Sequence, residues 1–200
     1  MSSSKSIPTA FSESYREKLL ATLDTVDTAL VAQAIEWMKE TRDAQRAIFV
    51  AGNGGSAATA AHFVCDMVKG ASLGKAARFR IVALGQNLPT HTAYSNDLSY
   101  ADALTEELKN FAQPGDLYMA ISGSGNSPNV LKALHYANDV GAVTIGMTGF
   151  DGGKMAQLAK ICYTVPNSCM QQVEDIHLLI EHMISLILRD SPGCAQNKKG

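Results

Sequence analysis

Apolar residues recur at helical spacing near the start of the chain. Between positions 11 and 40 they return every three or four residues, which predicts one long or two short amphipathic helices. Beyond that point, short β-rich runs alternate with helical patterns. The predicted strands are RAIFVAG (46–52), FRIVALG (79–85), DLYMAIS (116–122), AVTIGMT (142–148) and KICYTVP (160–166). The predicted helices cover 55–70, part of 88–112, 127–140, 152–158 and 170–189.

This alternation is typical of α/β proteins, in which helices cover both faces of a parallel sheet. The sequence therefore predicts an α/β three-layer sandwich with a five-stranded parallel sheet in the flavodoxin-like order 2-1-3-4-5, preceded by an N-terminal helical extension. The ends of the chain lack the apolar content that folding needs. We expect a disordered leader at 1–8, a helical segment at 9–44, one α/β domain at 45–190 and a flexible tail at 191–200.

Composition narrows the class of protein. A chain of 200 residues with 46% hydrophobic content is suited to one domain. Its 17 Lys and Arg and 19 Asp and Glu are well mixed, which argues against a nucleic-acid or membrane-surface partner. The cysteines show no CxxC spacing, and no apolar run reaches the ~18 residues of a membrane span. We therefore expect a soluble, cytoplasmic protein with reduced thiols.

Two glycine- and serine-rich loops follow the first and third predicted strands. They are GNGGS (52–56) and SGSGNS (122–127), and each precedes a helix. Backbone N–H groups and hydroxyls gathered at a helix N-terminus favour an anion, although one such loop is often only a turn. In the predicted strand order, both loops border the same crevice. Together they indicate one shared ligand.

Neither loop matches a nucleotide-binding motif. The first lacks the third glycine of GxGxxG at the proper offset, and GxxxxGK[ST] is absent from the chain. Ser122, Ser124 and Ser127 offer three hydroxyls. A phosphate carried by a small molecule, such as a sugar phosphate, fits this chemistry better than a nucleotide.

Ionisable residues cluster on two predicted helices. His62 and Asp66 stand four residues apart and so share one face, a spacing that suits two metal ligands or an acid–base pair. On the last helix, Glu174 and His182 lie on nearly one face, whereas Glu181 falls elsewhere and is predicted to be solvated. Residue chemistry alone leaves open whether either cluster is a site or a solvated helix face.

Several ordered motifs resemble one family. AGNGGSAATAAHF, SNDLSY, ISGSGNSPNVLKAL, GMTGFDGGKMAQLA and QQVEDIHLLIEHMI are similar to the sugar isomerase (SIS) domain, in particular its phosphoheptose isomerase branch, over about residues 10–190. The resemblance implies interconversion of sedoheptulose 7-phosphate and a heptose 7-phosphate aldose. It also implies a homotetramer with active sites at subunit interfaces, and zinc, although another divalent metal is left open.

The resemblance also implies site residues. The metal ligands fall on His62, Asp66, Glu174 and His182, and the catalytic acid–base residues on Asp66 and His182. The implied substrate contacts are Asn53, Gly54, Gly55, Asn96, Asp97, Ser122, Gly123, Ser124, Ser127 and Glu174.

Two of these positions depart from the family pattern. Asp66 stands where the family has a longer Glu, and Glu174 stands where it has Gln. Moreover, eight residues of straight helix span ~12 Å, so Glu174 and His182 can meet one ion only if Glu174 reaches back or another subunit contributes.

These features leave more than one function open. An isomerase would use Asp66 as the base and His182 as its acid–base partner, with the loops holding the phosphate. The altered base position is also what a non-catalytic relative would show, one that binds a partner such as a replication initiator. The retained pair His62 and His182 favours the enzyme, and an isomerase for another phosphosugar is a third reading.

Overall fold

The computed structural model describes residues 6–189. The predicted tail at 191–200 and the first five residues of the predicted leader lie outside this range. The helices are α1 (Ile7–Leu23), α2 (Thr28–Asp43), α3 (Gly54–Cys65), α4 (Leu88–Asp97), α5 (Tyr100–Lys109), α6 (Pro128–Asp139), α7 (Met155–Leu158) and α8 (Met170–Leu188), with a π-helical segment (Asp66–Ala71) directly after α3. The strands are β1 (Ala47–Ala51), β2 (Arg80–Ala83), β3 (Leu117–Ser122), β4 (Val143–Gly149) and β5 (Ile161–Val165).

The five strands form one parallel sheet in the order β2-β1-β3-β4-β5, so the predicted fold class is confirmed. β1 pairs with both β2 and β3, with Val50 opposite Ala83 on one side and Met119 on the other. The chain turns in opposite directions after β1 and after β3. This switch point places the loops that follow these two strands side by side at the carboxyl edge of the sheet.

Two apolar cores lie on the two faces of the sheet. Side chains of one face, such as Val50, pack with Phe63 of α3 and Ile176 of α8. Side chains of the other face, such as Phe49, pack with Leu134 of α6. Because successive residues of a strand point to opposite faces, continuous apolar strands serve both cores. The result is the three-layer sandwich.

The structure refines three of the predicted helical regions. The N-terminal pattern forms two helices, because Asp27 caps α2 by accepting a hydrogen bond from Ala29 N at 2.8 Å. The pattern within 88–112 also forms two, α4 and α5, since the backbone turns out of helix at Leu98 and Ser99. The helix predicted for 55–70 ends as α-helix at Cys65 and continues with π geometry. No helix within residues 6–189 is long and apolar enough to cross a bilayer.

Candidate active site

The two glycine- and serine-rich loops line one cavity of about 250 Å³ at the carboxyl edge of the sheet. The start of α8 closes its third side. Every predicted substrate contact except Asn96 and Asp97 lines this cavity, which we call the loop cavity. Its lining residues are Asn53, Gly54, Gly55, Ser56, Ile121, Ser122, Gly123, Ser124, Ser127, Met170 and Glu174.

The helices behind the two loops begin without side-chain caps. Asn53 and Ser127 occupy the N-cap positions of α3 and α6, yet neither side chain accepts a hydrogen bond from its own helix. The Ser127 hydroxyl instead pairs with that of Ser122, at 2.9 Å. By contrast, Asn87 caps α4 in the usual way, accepting from Thr90 N at 3.2 Å. First-turn N–H groups of α3 and α6 are therefore left for a ligand, and the helix dipoles favour an anion there.

The second loop is braced by the turn that follows β4. Gly125 has φ +63° and its carbonyl accepts a hydrogen bond from Met155 N at 3.0 Å. Asn126 Oδ1 accepts another from Lys154 N at 3.2 Å. The FDGGKM turn (150–155) thus supports the loop from behind.

The third side of the cavity is set by a close approach between α3 and α8. A Cβ on Gly55 would overlap the carboxylate of Glu174, so only glycine leaves that carboxylate its present position. Glu174 therefore lies at the N-terminus of α3, beside the first loop.

Three ionisable side chains converge further along the same two helices. The Nε2 atoms of His62 and His182 lie 3.0 Å apart, and Asp66 Oδ2 lies 3.6 Å and 3.8 Å from them. We call His62, Asp66 and His182 the triad. Their side chains are 50%, 34% and 41% exposed, so the triad is open to a ligand.

The triad has the donor set and spacing of a metal site. Around a tetrahedral ion with bonds of about 2.0–2.2 Å, neighbouring ligand atoms lie about 3.3–3.6 Å apart, close to the separations in the triad. Two imidazoles and one carboxylate form a common ligand set for catalytic zinc, which keeps its fourth position open. The residues present therefore fit a divalent cation.

The shorter carboxylate at position 66 reaches both histidines. Asp66 is the first residue of the π-helical segment, whose wider turn changes the direction of the side chains that follow α3. Ser185 of α8 donates a hydrogen bond to its Oδ2 at 3.5 Å. Oδ2 is thus the oxygen that faces Ser185 and both histidines.

Glu174, the fourth expected ligand, does not join the triad. Within residues 6–189, the group of ligand atoms lying within 4.8 Å of one another contains only His62, Asp66 and His182. Glu174 belongs to the loop cavity instead, as the length of helix between Glu174 and His182 implied. Its role as a metal ligand stays a prediction.

Asn96 and Asp97 lie away from the loop cavity. Both are exposed at the end of α4, and Asn96 Nδ2 donates to Asp97 Oδ1 at 2.9 Å. Their role in substrate binding also stays a prediction.

The prediction that Glu181 is solvated is wrong. Its side chain is completely buried, and neither carboxylate oxygen has a hydrogen-bond partner among the described residues. Burial raises the pKa of this carboxyl to about 9, and the negative charge of Asp66 adds to the shift. The neutral acid is therefore the form present at pH 7. A helical wheel misses it because the sequence does not show that α8 is buried on more than one face.

His177 is likewise completely buried, one turn before Glu181. Its Nε2 donates to the Thr148 carbonyl at 3.1 Å, whereas Nδ1 has no partner within the described chain. Burial lowers the pKa of this imidazole to about 4, although the bond to Thr148 works in the opposite direction. The ring is therefore neutral at pH 7.

This neutral histidine predicts a loss of stability in acid. The unfolded chain takes up a proton near the ordinary pKa of about 6.5, but the folded protein does so only near 4. Stability from this group is thus present above pH 6.5 and lost as the pH falls toward 4, by about 3 kcal/mol in total. Buried Glu181 changes stability in the opposite direction over the same range, so the prediction concerns the difference between two proteins that both retain it. Relative to the wild type, His177→Gln, which can keep the bond to Thr148, should gain up to about 3 kcal/mol as the pH falls from 6.5 to 4, measured by urea titrations. Parallel plots of stability against pH for the wild type and His177→Gln would contradict the neutral, buried state of His177. His135→Gln, at an exposed position, is the control.

Comparison with known proteins identifies the family of the chain. The SIS domain model matches residues 11–149. The chain is 36% identical to the phosphoheptose isomerase of Rhodospirillum rubrum over 144 residues, which are 72% of this chain and 76% of the relative. It is 36% identical to that of Aliarcobacter butzleri over 174 residues, 87% and 91% of the two chains. The structure of phosphoheptose isomerase from Neisseria gonorrhoeae superposes with a TM-score of 0.82 at 28% identity, covering 92% of this chain and 97% of the other.

Proposed function

The chain belongs to the SIS domain family, in its phosphoheptose isomerase branch, and from this we propose that it interconverts sedoheptulose 7-phosphate and D-glycero-D-manno-heptose 7-phosphate. The relatives that carry this name match 72% and 87% of the chain. The reaction moves a proton between adjacent carbons of the sugar through an enediol, so it needs a phosphate clamp and an acid–base pair.

The observation that carries the proposal is the path along α3. This helix begins at the loop cavity with Gly54 and reaches His62 eight residues later, a rise of about 12 Å. An extended seven-carbon chain with a terminal phosphate spans roughly 10 Å, because each bond of about 1.5 Å advances the zigzag by about 1.3 Å. A heptose phosphate held at the loops therefore brings its carbonyl end near the triad.

The loop cavity is the proposed phosphate clamp. Uncapped N–H groups of α3 and α6 and the hydroxyls of Ser122, Ser124 and Ser127 supply donors for the phosphate oxygens. Since neither loop carries a cationic side chain, most of the positive potential comes from the helix termini. Asn53, Gly54, Gly55, Gly123 and Glu174 complete the proposed contacts in the cavity. Asn96 and Asp97 are further expected contacts, although in the single chain they lie away from the cavity.

The triad is the proposed acid–base centre. Asp66 removes the proton from the carbon next to the carbonyl and returns it to the neighbouring carbon. His182 exchanges a proton with the carbonyl oxygen and the adjacent hydroxyl. General acid–base catalysis of this kind contributes about 10²- to 10⁴-fold.

Zinc is the proposed cofactor, and another divalent metal would suit the same ligands. His62, Asp66 and His182 would hold it, with Glu174 as the expected fourth ligand. A bound divalent cation acts as a Lewis acid and stabilises negative charge on the sugar oxygens.

Assays with sedoheptulose 7-phosphate test this function directly. We expect turnover by the zinc-loaded protein, a loss of about 100-fold after chelation, and recovery when zinc is restored, because Lewis-acid stabilisation amounts to several kcal/mol. Circular dichroism checks that the chelated protein stays folded. Absence of turnover in both states, with the fold intact, would overturn the isomerase and favour the partner-binding alternative. Turnover of a different phosphosugar alone would keep the enzyme class and change the substrate.

A homotetramer with active sites at subunit interfaces is part of the proposal. The exposed apolar side chains of α1 support it, since Ile7, Phe11 and Leu20 are 86%, 68% and 55% exposed in the single chain. We place the protein in the cytoplasm and expect no nucleic-acid partner, in keeping with its balanced charge.

A further inference from the structure

The side chain of Asn53 is held by three hydrogen bonds at the edge of the loop cavity. Its Oδ1 accepts from Tyr100 Oη at 2.7 Å and from Asn129 Nδ2 at 2.8 Å. Its Nδ2 donates to Asn129 Oδ1 at 2.9 Å. Asn53 and Asn129 therefore form a reciprocal amide pair, and Tyr100 holds the same oxygen from the other side.

This network fixes what Asn53 can offer a ligand. A primary amide has two N–H donors and an oxygen with two acceptor positions. Tyr100 and Asn129 use both acceptor positions, and Asn129 uses one N–H. One N–H remains without a partner in this network, and Asn53 lines the loop cavity, where a ligand could accept from it.

The N-cap position of Asn53 gives independent support. An asparagine at this position usually bonds to its own helix, which stabilises the helix by about 1 kcal/mol. Asn53 makes no such bond, whereas Asn87 at the start of α4 does. The Asn53 side chain therefore bonds to Tyr100 and Asn129 instead of capping α3.

Both partners of Asn53 are themselves fixed. Asn129 is completely buried at the start of α6, directly behind the second loop. Tyr100 is the first residue of α5, and its ring packs edge-on against the His91 ring with centroids 5.7 Å apart. The segment SNDLSY (95–100) therefore contacts the first loop through the hydrogen bond from Tyr100 to Asn53, although Asn96 and Asp97 lie apart from that loop.

We propose that Tyr100 and Asn129 are positioning residues that orient the Asn53 amide so that its free N–H binds an oxygen of the phosphosugar. This rests on the proposed function for the identity of the ligand. Neither residue touches the reacting carbons of the proposed substrate. Both act through Asn53.

Tyr100→Phe tests the proposal because it removes only the hydroxyl of a half-exposed side chain. We expect KM for sedoheptulose 7-phosphate to rise about three- to tenfold, the effect of weakening one hydrogen bond. The turnover number should stay within about twofold, since the bond is present in the bound substrate and the transition state alike. Tyr94→Phe is the matched control, because Tyr94 of α4 bonds to Asn110 rather than to the loop.

A double-mutant cycle separates positioning from a general structural effect. If Tyr100 acts through Asn53, Tyr100→Phe should change KM by less than about 1.5-fold when Asn53 is already alanine. An equal effect in both backgrounds, or no effect in the wild type, would overturn the proposal.

A spectroscopic measurement keeps this test distinct from that of the function. The side-chain amide resonances of Asn53 should shift in Tyr100→Phe and stay unchanged in Tyr94→Phe. If the protein has no isomerase activity, the proposed function fails while these spectra still decide the network. Unchanged Asn53 resonances in Tyr100→Phe would overturn the network whatever the activity.

Discussion

Asp66→Asn is expected to lower the turnover number by about 10²- to 10⁴-fold, because it removes the proposed base while preserving the size of the side chain. The amide nitrogen or oxygen can still face His62 and His182, so the fold should be unaffected. The loss should appear in kcat and kcat/KM alike, since the proton transfer is made only in the transition state. Steady-state assays with sedoheptulose 7-phosphate and added zinc measure it.

Two variants make this test specific. Asp139→Asn removes a carboxylate from the exposed end of α6 and should leave activity unchanged. Asp66→Glu restores the family residue but moves the carboxylate by about an ångström, a displacement that can cost about 100-fold. We therefore expect Asp66→Glu to be intermediate. Wild-type activity in Asp66→Asn would rule out this residue as the base.

Gly125→Ala is expected to destabilise the protein by about 3 kcal/mol or more and to lower kcat/KM at least about tenfold. Its φ of +63° disfavours any side chain, and a Cβ would overlap the carbonyl of Gly152 and lie 2.7 Å from Thr148 Oγ1. Because these neighbours include backbone, the second loop must move. Urea denaturation and steady-state kinetics measure the two effects.

Gly74→Ala separates conformational strain from steric overlap. Gly74 has φ +74°, but a Cβ there would meet nothing within 4 Å. We expect this variant to lose only about 1 kcal/mol and to keep its activity. Equal destabilisation by the two substitutions would show that the overlap of the added Cβ with Gly152 and Thr148 contributes nothing beyond the backbone strain.

The fold was predictable because its signals are local. Apolar strand runs bounded by glycine turns give the number of strands, and the two loops identify the switch point between β1 and β3. The loop cavity follows from the same reasoning, since both loops end neighbouring parallel strands. The family motif identifies Asn53 and Ser127 as substrate contacts. Nothing in the local sequence shows that their side chains do not cap the helices that follow them.

The rest of the site depends on packing that a sequence does not display. The π-helical turn at Asp66 adds a residue to one turn and breaks the periodicity from which helices are read. Glu181 is a charged residue of the kind usually found in contact with solvent, yet the face of α8 that carries it is buried. Tyr100 reaches Asn53 across 47 positions of chain, and no spacing rule connects them.

The amide pair between Asn53 and Asn129 joins the helix after β1 to the helix after β3. The two halves of the proposed phosphate clamp therefore cannot separate without losing both hydrogen bonds. Their conformational entropy is given up during folding, so little ordering remains when a ligand arrives. If the proposed function holds, such a preorganised clamp would recognise the phosphate common to many sugars. Discrimination by chain length would then fall to the opposite end of the site, where only a long enough sugar reaches the histidines.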